Sequence, residues 1–568
     1  MSSLDWIVLS FTLTAIIIYG LYKSRTSKNL EGYFLSNRSM PWYIVLLSIM
    51  GTQASAITFL SAPGQAFTDG MRFVQYYFGL PIAMIVLCIT FVPIFNKLKI
   101  FTAYEYLEQR FDVKTRTLTS FLFLLSRGLS TGISIYAPSI ILSSLLGWDI
   151  FWTNIVMGGL LIIYTVSGGA KAVAYTQQLQ LIIIIGGMIV TGYVIMHLLP
   201  ENIGFIDALK ISGRNGKMNV ITTGITNKGF NWKDKYNIIS GIIGGFFLAL
   251  SYFGTDQSQV GRYLTAKNET ESKVGLLMNG VIKVPMQFLI LLLGVLLFTF
   301  YQFKQQPVFF NPAVQQKMLN STMKDSVTSL EKSFSLLNEE KQSVLSNYKK
   351  DTSVALQQLA VINKKSETVR SNYKNLVKQL KAGDDNDTNY IFLRFVVDYL
   401  PKGLVGLLIA IIFLAAWGSI AAALNSLASC TMIDFHKKFR NFKHDDTNEI
   451  LNKKDYRISK YYTLAWGIFS VIVAEFATGM GSLIEAVNVL GSLFYGVILG
   501  IFLVAFYCKK IKSNAVFVAA LITEMIVITL FLLDKYEIIG LGFLWLNVIG
   551  ALLVLGFAWT IQKISFSK

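Results

Sequence analysis

Charge is what this chain has least of. Only 15% of its 568 residues are Asp, Glu, Lys or Arg, against ~25% in an ordinary soluble domain. There are three cysteines, three histidines and ten prolines. Cys88, Cys430 and Cys508 sit in or at the edge of apolar stretches and form no CxxC pair, which argues against a metal framework and a structural disulfide. So little proline excludes collagen-like sequence, and the apolar content excludes disorder. The N-terminus, MSSLDWIVLSFTLTAIIIYGLYKSR, lacks the basic leading segment and small-residue cleavage site of a signal peptide and reads as a retained helix. There is no Ser/His/Asp set, metal cluster or phosphate-cradling loop, so enzymatic chemistry has no support.

Apolar residues fill the space: 53% of the chain is hydrophobic and 13% aromatic, with a mean hydropathy of +0.52. A soluble protein of this size cannot hide that much apolar surface in one or two cores, so the partner is a lipid bilayer. The net charge of +18 would point to nucleic acid in a soluble chain. In a membrane protein it reads as basic cytoplasmic loops, with no nucleic acid involved.

Apolar runs predict thirteen spans, near 5–22, 42–68, 73–95, 118–146, 150–166, 178–199, 237–265, 274–303, 401–434, 461–480, 484–507, 514–533 and 538–562. The short basic loops 23–38, 96–117 and 436–460, with Lys509, Lys510 and Lys512, all fall on one side. That places the N-terminus outside and the C-terminus in the cytoplasm. Residues 200–236 and 304–389 then lie outside, the second too long for its charge to report topology. Within it Val327, Leu330, Phe334 and Leu337, then Leu356, Leu359, Ile362, Tyr373, Leu376 and Leu380, recur at helical spacing and predict a water-exposed helical hairpin. It is either a solvated ornament or a docking surface for a partner in the cell envelope.

Two spans are interrupted by small and polar residues. The second carries Gly51, Thr52, Gln53, Ala54 and Ser55 at its middle; the seventh carries Ser251, Gly254, Thr255, Asp256 and Gln257. Each opens a set of five spans, and an odd-numbered set is inverted in its second copy. Breaking a helix frees backbone carbonyls that hydrocarbon cannot satisfy, so paired breaks in matching places point to a transporter's central site. The alternative is that these small residues only permit close helix packing. The ninth span adds Ser419, Asn425 and Ser426; Ala415 and Ser419, one turn apart, share a face. Taken alone, Ser419 also reads as a serine bonded back to its own helix. The expected division is an extra helix and loop over 1–41, a first repeat over 42–199, an outer loop over 200–236, a second repeat over 237–507 interrupted by 304–389, and two further helices over 508–568.

At these residues the chain resembles the sodium/solute symporter family. GTDQSQVGRYLTAKN (254–268), YTVSGGAKAVAYTQQLQ (164–180), AYEYLEQRF (103–111), IYAPS (135–139), SAITFLSAPGQAF (55–67) and LNS (424–426) followed by Asp434 carry the likeness over almost everything except 304–389. Several strings look closest to the iodide, monocarboxylate and multivitamin branch. The resemblance implies an all-α, LeuT-like fold of five plus five inverted helices, with about 13 spans and an extra helical outer loop. It implies a co-transported sodium ion held by the carbonyls of Gly51, Ala54 and Ala415 and the hydroxyl of Ser419. The family usually has two adjacent hydroxyl residues there, and Gly418 replaces one of them. Members with an additional sodium carry an Asp where this chain has Gln177, and Ala421 and Ala422 stand where further hydroxyls are expected. One sodium per cycle is therefore expected.

The solute is expected beside the breaks. Candidate contacts are Gln53, Ser55 and Thr58, then Gln75 and Tyr77, then Tyr252, Asp256 and Gln257. Asp256 is near enough along the chain to pair with Arg262. Arg127 on the fourth span either snorkels to the interface or faces the cavity, and facing it would favour a carboxylate. A monocarboxylate, sialic acid, sugar or vitamin all remain open. The expected function is sodium-coupled import of a small solute or anion by alternating access, in a cell membrane whose Lys/Ile/Asn-rich protein reads as bacterial. The alternatives are a membrane solute sensor and a partner-docked, non-transporting homologue.

Overall fold

Each of the thirteen apolar stretches is helical over most of its length in the computed structural model, which describes residues 1–24, 30–346, 348–439, 449–477 and 480–566. The basic stretches 25–29 and 440–448, used above for orientation, lie outside the described residues. Among those described, nine helices are long and apolar enough to cross a bilayer, and one bent pair makes a tenth. Ile150–Val166 and Ser240–Thr255 are shorter apolar segments.

The principal helices are α1 (Ser3–Ser24), α2 (Trp42–Gln53), α3 (Ala56–Asp69), α4 (Met71–Leu98), α5 (Val113–Leu146), α6 (Ile150–His197), α7 (Gly245–Thr255), α8 (Gln257–Tyr263) and α9 (Glu269–Phe303). They continue with α10 (Lys324–Ser346), α11 (Thr352–Leu380), α12 (Leu404–Cys430), α13 (Glu449–Glu475), α14 (Leu483–Tyr507), α15 (Ser513–Lys535) and α16 (Leu544–Phe566). Local chemistry sets several starts. Asp112 caps α5 by accepting from the Thr115 N–H at 2.8 Å, and Asn268 caps α9 through the Glu271 N–H at 3.0 Å.

The region between the fifth and sixth spans is helical, where the sequence pattern leaves a polar link over 167–177. The chain nevertheless reverses inside α6. The Tyr164 and Thr176 hydroxyls lie 2.8 Å apart, whereas twelve residues of straight helix would separate their backbones by about 18 Å. The last span starts at Leu544 rather than 538. The apolar run Ile538–Phe543 is a loop because Glu537 takes a positive φ and the Gly542 N–H donates to the Trp232 carbonyl at 2.7 Å.

The two interrupted spans are two broken helices. α2 and α3 meet at a 60° bend, with Ala54 at ψ 73° and Ser55 extended. α7 and α8 part at Asp256, also extended. α12 is the most deeply buried of the long spans and packs against α2, α5, α6 and α8. The half-helix α3 is clasped at its far end. A Cβ on Gly294 would fall 2.0 Å from the Pro63 carbonyl, so the α9 backbone runs directly against α3. On another side, Asn389 accepts from Ser61 Oγ at 2.7 Å and donates to the Gly481 carbonyl at 3.0 Å.

The 304–389 segment forms the expected hairpin, α10 against α11, around Val308, Phe309, Val327, Phe334, Tyr373 and Val377. Leu345, Tyr348, Ala355 and Leu359 continue into the main core, so the hairpin is seated on the bundle rather than merely tethered to it. Its base is held by a buried carboxylate. Asp387 accepts from Arg370 at 2.7 and 2.9 Å and from the Phe310 N–H at 2.9 Å, and Lys374 approaches to 3.0 Å. Burial pushes the Asp387 carboxyl up, but Arg370 and Lys374 outweigh it and hold it below the usual aspartate range.

Candidate functional site

The first break opens onto a cavity of about 110 Å³ inside the bundle, and α7 reaches the same space one turn before the second break. Thr52, Gln53, Ser55 and Thr58 reach it from α2 and α3, because the bend turns their peptide planes and side chains out of the helical ladder. Tyr252 reaches it from α7, and Ser419 from α12. Arg127, Thr131 and Ser134, at positions i, i+4 and i+7, form one polar face of α5 against it. Asn488 and Tyr495, seven apart on α14, close the remaining side.

A hydrogen-bonded chain orders this wall. Tyr495 donates to Asp256 Oδ2 at 2.7 Å, and Arg127 Nη1 stands 3.7 Å from the same oxygen. The guanidinium lies 5.9 Å from the Tyr252 ring centroid, and the Tyr252 hydroxyl accepts from Gln259 at 2.7 Å. Arg127 Nε has no partner and is buried. Tyr76 donates to Asn488 at 3.1 Å. Gln53 Oε1 is likewise buried and unpartnered. The cavity thus presents one cation edge, several hydroxyls and two amides between aromatic rings.

Of the predicted solute contacts, Gln53, Ser55, Thr58, Tyr77, Arg127 and Tyr252 line the cavity. Asp256 stands one step behind, gripping Tyr495 and Arg127. It does not pair with Arg262, whose Nε and Nη1 are unpartnered; as the residue capping α8, Asp256 instead accepts from the Ser258 N–H at 2.8 Å and turns away from that helix's far end. Gln75 and Gln257 lie elsewhere. Gln75 clips the outer loop, donating to the Arg72 and Tyr236 carbonyls and Thr222 and accepting from the Thr222 N–H. Gln257 bridges the Phe101 carbonyl and the Ala103 N–H. Both amides are engaged away from the cavity, Gln75 with the outer loop and Gln257 with the 101–103 turn.

The proposed cation ligands flank the first break. Gly51 and Ala54 lie on its α2 side, and Ala415, Gly418 and Ser419 on the neighbouring α12. Ser419 Oγ donates to the Ala416 carbonyl at 3.0 Å, which leaves its lone pairs free. Beside it, one amide joins the two helices. Gln177 Nε2 donates to both Thr52 Oγ1 and the Gly418 carbonyl at 3.1 Å, while its Oε1 accepts from Ser48 at 2.9 Å. A Cβ on Gly418 would meet Gln180 Oε1 at 2.7 Å and Gln177 Cγ at 3.1 Å, so glycine there matches the bulk of those glutamines.

Several cavity residues escaped the sequence reading. Thr131 and Ser134 were visible as a polar face continuing from Arg127. Tyr76, Asn488 and Tyr495 carry no signal of their own in aromatic-rich spans. Lys283 was visible as an ionisable residue inside an apolar span. It is fully buried, its Nζ unpartnered and 5.7 Å from the Tyr77 ring centroid.

Two broken helices crossing at a polar cavity, inside a bundle of apolar spans, define a secondary transporter. The chain belongs to the sodium:solute symporter family, whose model matches residues 33–329 and 371–523. It is 25% identical to a sodium/sialic acid symporter of Proteus mirabilis over 97% of this chain and 93% of that one. It is 24% identical to another from Aliivibrio fischeri over 97% and 91%. The human sodium-coupled monocarboxylate transporter 1 is 30% identical over 48% of this chain and 44% of its own length. Among solved structures, the substrate-bound outward-open state of a Na+-coupled sialic acid symporter superposes with a TM-score of 0.74, at 23% identity, covering 99% of this chain and 98% of that one. That likeness shows the fold, a LeuT-like inverted-repeat bundle. Membership makes the chain a multi-pass, sodium-coupled carrier of a small solute and not an enzyme. An envelope partner for 304–389 finds no support in these matches.

Proposed function

We propose that the chain imports a small carboxylate together with one sodium ion by alternating access. The observation that carries this reading is the Arg127 guanidinium at the wall of the central cavity, with an unpartnered Nε and a loose 3.7 Å contact to Asp256 beside the Tyr252 ring. A buried arginine that faces a polar cavity takes a planar anion with high specificity. The relatives named for sialic acid and for monocarboxylates both handle carboxylates, which supports the same class. Gln53, Ser55, Thr58 and Asn488 then meet hydroxyl or amide substituents, and Tyr77 and Tyr252 the solute's carbon face.

Sodium sits, on this reading, against the first break, taken by the carbonyls of Gly51, Ala54 and Ala415 and by Ser419 Oγ. A neutral all-oxygen set suits a hard cation. Bound there, it bridges α2 and α12 and favours the conformation in which the two are apposed. Ser419→Ala is expected to raise the sodium concentration for half-maximal uptake several-fold while leaving the protein folded; uptake titrated against sodium, with choline as replacement, reads this directly. An unchanged sodium dependence overturns the assignment.

The Gln177 amide supports the stoichiometry. It fills the space between Thr52 and Gly418 with a neutral donor at 3.1 Å, at the position where the resemblance expects an Asp in members with an additional sodium. Parallel flux of 22Na and labelled solute into proteoliposomes is expected to give a ratio near one, and a ratio of two refutes it. The two-repeat division (42–199 and 237–507), an outside N-terminus and a bacterial inner membrane complete the reading. Protease access to a tag at the N-terminus of right-side-out vesicles tests the orientation.

A further inference from the structure

Where α3 ends, the hairpin α10–α11 leans over the bundle and encloses a second cavity of about 340 Å³. Phe67, Thr68 and Phe298 form its floor; Lys217, Lys341, Arg370 and Lys374 surround it. Ten residues of α3 separate Thr68 from Thr58 in the central cavity, about 15 Å of helix, so the two spaces are distinct.

The charges here do not balance. Asp387 behind the wall is held by Arg370 and Lys374. Asp69, the acid nearest on α3, is paired with Arg72. Glu367 is the carboxylate on the lining itself, with 69% of its side chain exposed, and it stands a long 3.9 Å from Lys217. Lys217 donates to the Thr68 carbonyl at 2.5 Å. Lys341 has no ion pair among the described residues, although the residue is only 1% exposed. Its Nζ rests 5.7 Å from the Phe334 ring centroid. Burial, and then the charge of Arg370, pull its ammonium down to about 8, against an opposing pull from Glu367. On the cavity wall, with the exposed Glu367 as its opposing charge, this ammonium is better compensated when an anion enters.

The family model breaks off at residue 329 and resumes at 371. Lys341, Asn363, Ser366, Glu367 and Arg370 all fall in that gap, so part of this cavity's wall lies outside what the family model describes. We propose that it is a second solute site, taking a small carboxylate at the outer mouth of the transport path, with Lys341 and Lys217 on the carboxylate and Asn363 and Ser366 on neighbouring hydroxyl or amide groups. Its natural occupant rests on the carboxylate reading of the transported solute; the site's anion chemistry does not. Concentrating an anion in a positive concavity beside the path raises its local concentration before it reaches Arg127.

The test is calorimetric titration of the full-length protein in detergent with sialic acid, pyruvate and inorganic phosphate. The wild type is expected to bind one of the two carboxylates at two sites per chain. Lys341→Met, which keeps the stem against Phe334, is expected to reduce this to one site, with a melting temperature unchanged or higher. Arg127→Met is expected to retain the outer site, and the double variant to weaken it at least tenfold. Two sites persisting in Lys341→Met and in Lys217→Met would overturn the proposal. So would a single site in the wild type that Arg127→Met abolishes. Phosphate binding that Lys341→Met removes, with no carboxylate bound there, would overturn the carboxylate assignment. Because Lys341→Met is read by site number, it gives its answer even where Arg127 is not the central contact.

Discussion

Replacing Arg127 by methionine is expected to reduce sodium-driven carboxylate uptake by at least about thirtyfold. The side chain is nine-tenths buried at the cavity wall, where a charge-assisted contact to a carboxylate is screened little by water. Truncating one partner of such a buried pair costs about 2–5 kcal/mol, which corresponds to roughly 30- to 5,000-fold in kcat/KM. Methionine also strands Asp256, which keeps the Tyr495 and Ser258 donors but loses the one cation paired with it among the described residues. The loss therefore includes a wall that is no longer ordered. Arg127→Lys separates the two effects. It preserves a charge beside Asp256 and forfeits the planar fork, so it is expected to recover folding and only part of the uptake. Uptake in proteoliposomes, read beside melting temperature in detergent, makes the comparison. Wild-type kinetics in Arg127→Met would remove the basis for a carboxylate substrate.

The second large effect is structural. Asp387→Ala is expected to release the base of the α10–α11 hairpin at a cost of about 3–5 kcal/mol, because Arg370 and Lys374 are left partly buried without their common counter-ion. Asp387→Asn keeps an acceptor for Arg370 and is expected to fall between alanine and wild type. Limited proteolysis is the useful readout, since cleavage should concentrate within 304–389 while the bundle helices remain protected. The pH dependence has a definite sign. A carboxyl held below its unfolded range stabilises the fold above that range and loses the contribution as pH falls through its folded value. The hairpin of the wild-type protein should therefore stay seated at neutral pH and loosen only in strong acid. Equal protease resistance in Asp387→Ala and wild type would show that the apolar seat through Leu345, Tyr348 and Leu359 suffices alone.

Much of this architecture is legible in the sequence because lipid imposes it. An apolar run of twenty residues has few alternatives to a helix, and a cluster such as GTQAS in one of them points to a break or a close helix contact, of which the 60° bend shows the first. Arg127 was equally conspicuous, for a charge inside a span is rare enough to demand a role. Gln75 and Gln257 show where residue type stops informing. Both have the chemistry of solute contacts and sit beside residues that line the cavity, but each is engaged elsewhere, Gln75 by Arg72, Thr222 and Tyr236 and Gln257 by the 101–103 turn. Those neighbours are set by tertiary folding, which no local pattern reports. Asn488 and Tyr495 fail for the converse reason. They come to the cavity from a helix more than two hundred residues from Tyr252 in sequence, and in their own span they look like ordinary packing residues. The late start of α16 is a matter of one turn at Glu537 and one N–H to the Trp232 carbonyl, again decided by a distant partner.

Gln177 has an electrical consequence. An amide carries no charge at any pH the cell meets, and on the proposed stoichiometry the solute's single negative charge crosses with a single positive one. Voltage contributes about 2.3 kcal/mol per net elementary charge per 100 mV, and here the net moved is zero. Such a carrier produces no current and accumulates solute only as far as the sodium concentration ratio allows, about tenfold for a tenfold ratio. A cell whose membrane is depolarised would keep its uptake; a cell that loses its sodium gradient would not.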